Sequence, residues 1–128
     1  HFSATPDFVD SWPVHCVAGT RGAELHPALA GFDFDAVFDK GEYAAAYSGF
    51  EGACDGEPLA AWLAGRGVDA VEVCGIATDH CVRATALDAV RAGFATAVLP
   101  GLTAAVSAAR LPSVLAELQQ AGVEVHAG

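Results

Sequence analysis

Val68-Asp69-Ala70-Val71-Glu72-Val73-Cys74, followed by Gly75-Ile76-Ala77-Thr78-Asp79-His80-Cys81, is the stretch whose reading decides the fold of this 128-residue chain. The first part is β-rich and bounded by Gly67 and Gly75, whereas Val82, Ala86, Ala89 and Val90 recur at helical spacing until Gly93 stops the pattern. A strand over Val68–Cys74 therefore feeds a helix over Asp79–Ala92 through a tight turn. In open parallel α/β sheets, ligands bind beyond the carboxyl ends of the strands, which is where this turn lies. The turn also sets a thiol at a helix start. First-turn N–H groups have no intrahelical partners and carry the positive end of the macrodipole, so they stabilise a thiolate and can hold a developing oxyanion. Taken alone, the same pattern equally describes a small buried Cys81 behind a helix capped by Thr78 or Asp79.

Outward from that stretch, strand and helix alternate to the end of the chain. A strand over Ala95–Leu99, a helix over Ser107–Gln120 and a strand over Val123–His126 complete a βαβαβ series, which implies parallel strands with right-handed crossovers. Upstream, Leu59–Ala64 reads as a short helix opened by Glu57-Pro58, with Pro58 as a first-turn proline, and Asp35–Asp39 as a short strand. The residues up to Gly31 are rich in Pro, Gly, His and Trp without a sustained period, the mark of a long functional loop region. The reading is one domain over residues 1–128, with a loop region at 1–31 and a βαβαβ body at 32–128. Internal repeats are absent.

Composition narrows the function classes. Hydrophobic residues make up 53% of the chain without a long apolar run, so a core can be buried and no membrane span is expected. A formal net charge of −10 argues against nucleic acid and anionic membranes as partners and suits a neutral or cationic small molecule. The four cysteines (Cys16, Cys54, Cys74, Cys81) form no CxxC pair, which fits a reducing cytoplasm. The chain holds no methionine and begins at His1 inside a loop, and it reads as the remainder of a longer protein.

Two further constellations bear chemistry. His1 and His15 flank the loop Phe2–Val14, and neutral imidazoles brought together by a loop are common ligands for a divalent metal. Surface histidines, or partners of local carboxylates, are the plainer alternative. Trp12 serves equally as a core anchor or as a stacking platform for a flat ligand. Lys40, in Asp39-Lys40-Gly41, is either a solvated charge at a strand end or, if it points into a pocket beside a thiol, a stabiliser of the thiolate.

Together these pieces resemble the nicotinamidase (pyrazinamidase) members of the isochorismatase-like cysteine hydrolases. The resemblance rests on His1-Phe2-Ser3-Ala4-Thr5-Pro6-Asp7, on Ser11-Trp12-Pro13-Val14-His15-Cys16, on Lys40-Gly41 with Tyr47-Ser48-Gly49-Phe50-Glu51-Gly52, and on Gly75-Ile76-Ala77-Thr78-Asp79-His80-Cys81-Val82. It implies a three-layer α/β/α fold with a mostly parallel sheet and the conversion of nicotinamide, and of pyrazinamide, to the acid and ammonia through a cysteine thioester. Carried over to these positions, it implies Cys81 as nucleophile, Lys40 as the catalytic lysine beside it, and Ala77 as the residue whose backbone N–H joins that of Cys81 in the oxyanion hole. The Ile76–Ala77 peptide is cis in the family. His1 and His15 match two ligands of a divalent metal, zinc, iron or manganese, which holds the ring nitrogen, while Trp12, Tyr47, His80 and Ile76 match residues around the ring. Asp79 is expected to shape the turn by hydrogen bonds, Asp7 to belong to the metal loop without being a ligand, and Cys16, Cys54 and Cys74 to have no part in the chemistry.

The departure from the family lies upstream. Nicotinamidases carry a catalytic aspartate at the end of the first strand and an Asp-x-His pair of metal ligands shortly before the position of His1, and neither occurs in this sequence. The expectation is therefore an N-terminally incomplete chain whose first strands are absent, inactive on its own, with an exposed sheet edge prone to self-association, so a homo-oligomer stays open. A metal-free isochorismatase-like amidase and a non-catalytic interaction domain of this fold are the alternative readings.

Overall fold

The computed structural model describes residues 1–127. By contacts the chain divides into two compact units, His1–Val37 and Phe38–Gly128, a boundary later than the end of the loop region expected at residue 31.

In the first unit, the backbone turns back on itself. Phe2 and Trp12 form an isolated parallel bridge, with Ser3 N–H donating to Trp12 O (2.8 Å) and Trp12 N–H to His1 O (2.8 Å). The excursion between them is organised by Asp7, whose Oδ1 accepts from the backbone N–H of Val9 (2.9 Å), Asp10 (2.9 Å) and Ser11 (3.0 Å) and from the Ser11 hydroxyl (3.0 Å). These donors favour the carboxylate, so the Asp7 pKa lies well below the ordinary range. Short 3₁₀ turns at Arg21–Ala23 and Pro27–Leu29 complete this unit.

The second unit opens with a two-stranded antiparallel ribbon, β1 (Ala53–Cys54) and β2 (Glu57–Pro58), and a short helix α1 (Leu59–Gly65). Pro58 sits just before the helix, at φ −65° and ψ 149°, so it caps α1 as part of β2; it is not the expected first-turn residue. The strand expected over Asp35–Asp39 is not formed. Only Asp39 pairs, in an isolated antiparallel bridge to Ala53, because a strand persists only where a neighbour takes up its backbone groups.

The βαβαβ series is present as expected. β3 (Ala70–Ile76), α2 (Arg83–Arg91), β4 (Ala95–Ala104), α3 (Leu111–Gln120) and β5 (Glu124–Val125) form a sheet ordered β3-β4-β5, parallel at both junctions. The α/β fold with a parallel sheet read from the alternation is thus borne out. Val82, Ala86, Val98, Val114, Leu118 and Val123 make the core between the helices and one face of the sheet, with Val73, Leu87, Val90 and Leu115 packed against it. Along β3 burial alternates, so Ala70, Glu72, Cys74 and Ile76 are exposed.

β3 lies two residues later than the expected Val68–Cys74 and β5 is shorter than the expected Val123–His126, while the three largest differences each have a local reason. β4 continues five residues beyond the expected end at Leu99, to Ala104. Val73 pairs with Val98 but Gly75 with Thr103, so β4 bulges around Pro100, which has no N–H to donate, and then pairs again. Gly75 takes φ +108° at this register shift, a conformation that favours glycine. The helix expected from Asp79 begins instead with a π turn over Thr78–Val82. The helix expected from Ser107 begins with a 3₁₀ turn over Ala108–Arg110, since Pro112 in the first turn of α3 cannot donate back along the chain. Among the described residues, no helix is long and apolar enough to cross a membrane.

Candidate active site

The turn after β3 is locked from three sides within the second unit. Ala77 O accepts from His80 N–H (3.1 Å) and from Val82 N–H (3.0 Å), the latter the i→i+5 bond that makes the turn π, a geometry that recurs at functional sites. The Thr78 hydroxyl donates to Thr103 Oγ1 (2.8 Å), which donates in turn to Pro100 O (2.9 Å) in the β4 bulge. Asp79, 2% exposed, accepts from Val106 N–H (2.9 Å) and Ser107 N–H (3.1 Å) in the connection to α3. Burial pushes the Asp79 pKa up, but the two backbone N–H bonds outweigh it and hold the carboxyl below the ordinary range. Asp79 shapes the turn, as expected from the resemblance. The Ile76–Ala77 peptide is cis.

Cys81, half-buried, stands in this turn, and Lys40 Nζ lies 3.4 Å from its Sγ. Lys40 is set there by two anchors. At its backbone, the Asp39–Ala53 bridge holds the chain, and the bridge needs Gly52: a Cβ at that position would meet Asp39 O at 2.9 Å. At its tip, the ammonium also donates to Ala46 O (3.1 Å). Lys40 is exposed, and the tip of its side chain lies beside the thiol. At that distance the ammonium faces the sulfur directly, so it would lie against any negative charge that forms there.

Beside the pair, the Tyr47 ring lies 5.4 Å from the ring of His80, tilted by 56°, and His80 is buried with Nε2 3.8 Å from Asp79 Oδ2. Ile76 is 76% exposed at the end of β3. The structure thus brings Cys81 to Lys40 and Tyr47 to His80, with Ala77 opening the turn.

Within the first unit, the His1 and His15 rings lie 5.4 Å apart, and Phe2 touches both, at 5.5 and 5.1 Å. His15 Nδ1 is 2.6 Å from Pro13 O. A carbonyl can only accept, so Nδ1 is the donor and Nε2 is the nitrogen left to face a cation, the backbone support typical of a metal-bound imidazole. Two imidazoles this close suit one shared cation. Among the described residues, no group of three or more His, Cys, Asp or Glu side chains gathers around a common point, so these two imidazoles are what the chain offers. Trp12 packs edge-on against Phe8 at 5.8 Å.

The sequence reading missed the supports of the loop that carries Tyr47. Ser48 and Glu51 form a capping box, with Phe50 N–H on Ser48 Oγ (3.1 Å) and Ser48 N–H on Glu51 Oε2 (3.1 Å). The Ser-x-x-Glu spacing signals this. Gly49 N–H donates to Thr85 Oγ1 (2.8 Å), and a contact between residues 36 apart has no local signal at all.

Residues 2–127 match the isochorismatase domain. The nicotinamidase/pyrazinamidase of Mycobacterium tuberculosis is 59% identical over 126 residues, covering 98% of this chain and 68% of that protein. The nicotinamidase of Escherichia coli is 41% identical over 92 residues, covering 69% of this chain and 43% of that protein. Among solved structures, PnC1 of L. infantum in complex with nicotinate matches with a TM-score of 0.81 at 43% identity, over 90% of this chain and 60% of that one. The pyrazinamidase of Pyrococcus horikoshii in complex with zinc matches with a TM-score of 0.69 at 36% identity, over 91% of this chain and 63% of that one. The chain spans less than two thirds of the length of both solved structures and of the E. coli protein.

Proposed function

The chain belongs to the isochorismatase family, and from that membership we propose that it carries the nucleophile of an amidohydrolase converting nicotinamide, and pyrazinamide, to the corresponding acid and ammonia. The observation that carries this reading is the Lys40 ammonium 3.4 Å from the Cys81 thiol, in a turn beyond the carboxyl end of a parallel strand.

The Cys81 thiolate adds to the carboxamide carbon, and the carbonyl π electrons move onto oxygen. The N–H groups of Ala77 and Cys81 are the assigned donors to that oxyanion. Collapse expels the nitrogen, which leaves as ammonia after taking up a proton, and a thioester remains. Water then adds to the thioester carbon, and the tetrahedral adduct expels the thiolate and releases the acid. Lys40 faces the sulfur's negative charge at both ends of the cycle. The steps assigned to residues 1–128 are attack, oxyanion binding and ring holding.

His1 and His15 are the residues that would hold a divalent cation, whose chemistry, when bound, is to anchor the pyridine nitrogen as a Lewis acid. Imidazole donors suit zinc, iron or manganese. Trp12, Tyr47, His80 and Ile76 are assigned to the faces of the ring. The charge of −10 accepts a neutral carboxamide and disfavours retention of the anionic product. The cysteines are all free thiols, which supports a reducing cytoplasm as the site of action.

The test is ammonia release from nicotinamide by the full-length protein and its Cys81→Ala variant. The variant is expected to lose turnover and keep nicotinamide binding, because the thiol does chemistry while other groups hold the ring. Retained turnover in the variant overturns the assignment.

A further inference from the structure

We propose that Thr85 is a positioning residue for the Cys81–Lys40 pair, acting through the loop Ala46–Gly49; this rests on the reading of Cys81 as nucleophile. The hydrogen bonds make a closed ring. Cys81 and Thr85 ride on one continuous helical segment, the π turn and α2, four residues apart. Thr85 Oγ1 accepts from Gly49 N–H at 2.8 Å, so the loop is tied to the same helix that carries the thiol. Three residues back along that loop, Ala46 O accepts from Lys40 Nζ at 3.1 Å, and Lys40 Nζ reaches Cys81 Sγ at 3.4 Å.

The loop transmits position because it is stiff. Ser48 is 2% exposed, and its capping box with Glu51 fixes the backbone on either side of Gly49. Gly49 also lies against the Thr85 side chain: a Cβ there would meet Thr85 Cγ2 and Oγ1 at 3.6 Å. Lys40 is exposed, and its four-carbon stem has several rotamers open to it. Of these, the Ala46 carbonyl selects the one that points at sulfur, and Thr85 determines where that carbonyl sits.

Thr85→Val keeps the shape of the side chain and removes the acceptor, leaving Gly49 N–H without its partner and the loop free to shift. If the ammonium retreats from 3.4 Å to about 4.4 Å, its attraction for negative charge on the sulfur weakens, at an effective dielectric of about 20 to 40, by an amount worth about a three- to sixfold change in rate.

The experiment measures alkylation of Cys81 by iodoacetamide at fixed neutral pH in the full-length protein, read on the Cys81 peptide by mass spectrometry so that Cys16, Cys54 and Cys74 do not interfere. Thr85→Val is expected to slow alkylation about three- to sixfold, Thr85→Ser to restore it, and Thr85→Val to have no further effect in a Lys40→Met background. Should Thr85→Val fail to fold, Thr85→Ala removes the same acceptor without adding volume and takes its place. A normal rate in the Thr85 variant, while Lys40→Met is slow, overturns the proposal. So does equal slowing by the Thr85 change with and without Lys40. A normal rate in Lys40→Met instead strikes at the reading of the site itself, which keeps the two failures apart.

Discussion

Asp79 ties the turn after β3 to the connection that leads into α3. Its carboxylate takes both N–H groups of Val106 and Ser107, and Arg110 stands 3.9 Å away. Asp79→Asn keeps the size but presents an NH₂ to one of the two backbone donors, leaving that N–H buried without an acceptor. A loss of about 1 to 3 kcal/mol at neutral pH is expected. The sign of its pH dependence follows from the lowered pKa. A carboxyl held below its ordinary value of about 3.9 contributes stability that is fully present above that value and lost as pH falls through the lowered native one. Urea unfolding of the two proteins is therefore expected to show a gap that is constant from neutral pH to about pH 5 and narrows below about pH 4. A gap that widens on acidification contradicts the assignment. At this scale the sequence was partly legible. Asp79 could be placed in the turn by its position, but its partners lie 27 and 28 residues away and no spacing announces them.

At the scale of elements, what could be read was what has a period. β3 alternates and α2 repeats its apolar residues, so strand, turn and helix were placed from residue types alone, and the alternation to the C-terminus implied the parallel order that is found. The β4 bulge was not legible, because a strand that resumes past Pro100 depends on Gly75 and Ile76 across the sheet and not on its own sequence. The strand read at Asp35–Asp39 failed for the complementary reason: its apolar run Ala36-Val37-Phe38 suits a strand, but among the described residues only Asp39 of this segment finds a partner. Between α2 and α3 two kinds of contact can be ranked. Leu118 is fully buried in the core, so Leu118→Ala is expected to cost about 2 to 5 kcal/mol. Arg83 meets Glu117 in a bidentate pair at 2.7 and 2.6 Å, which lowers the Glu117 pKa and raises that of Arg83. Both side chains are about a third exposed or more, and water screens most of what the pair gains, so Glu117→Gln is expected to cost no more than about 1 kcal/mol. Equal costs in denaturant titrations would mean that the pair, not the core, joins the helices.

For the molecule as a whole, the roles assigned to the two units separate in kinetics. His1 and His15 lie in the first unit, Cys81 and Lys40 in the second. A ligand that anchors the ring acts on ground state and transition state alike, and its loss raises KM with a smaller effect on kcat, whereas loss of the nucleophile removes kcat. The support on His15 sharpens the expectation. With Nδ1 turned to Pro13 O, Nε2 is the atom left to bind a cation, and His15→Ala removes it. The full-length His15→Ala protein is expected to retain less metal by elemental analysis and to show KM for nicotinamide raised about tenfold or more, the loss that an outer partner of such a ligand alone produces. kcat is expected to fall less. Depleted metal with an unchanged KM overturns the ring-anchoring role, and turnover indifferent to a chelator points to a metal-free amidase in which His1 and His15 are ordinary loop histidines. The pair of measurements decides because metal content and KM are independent readouts, and only a cation that touches the substrate moves both.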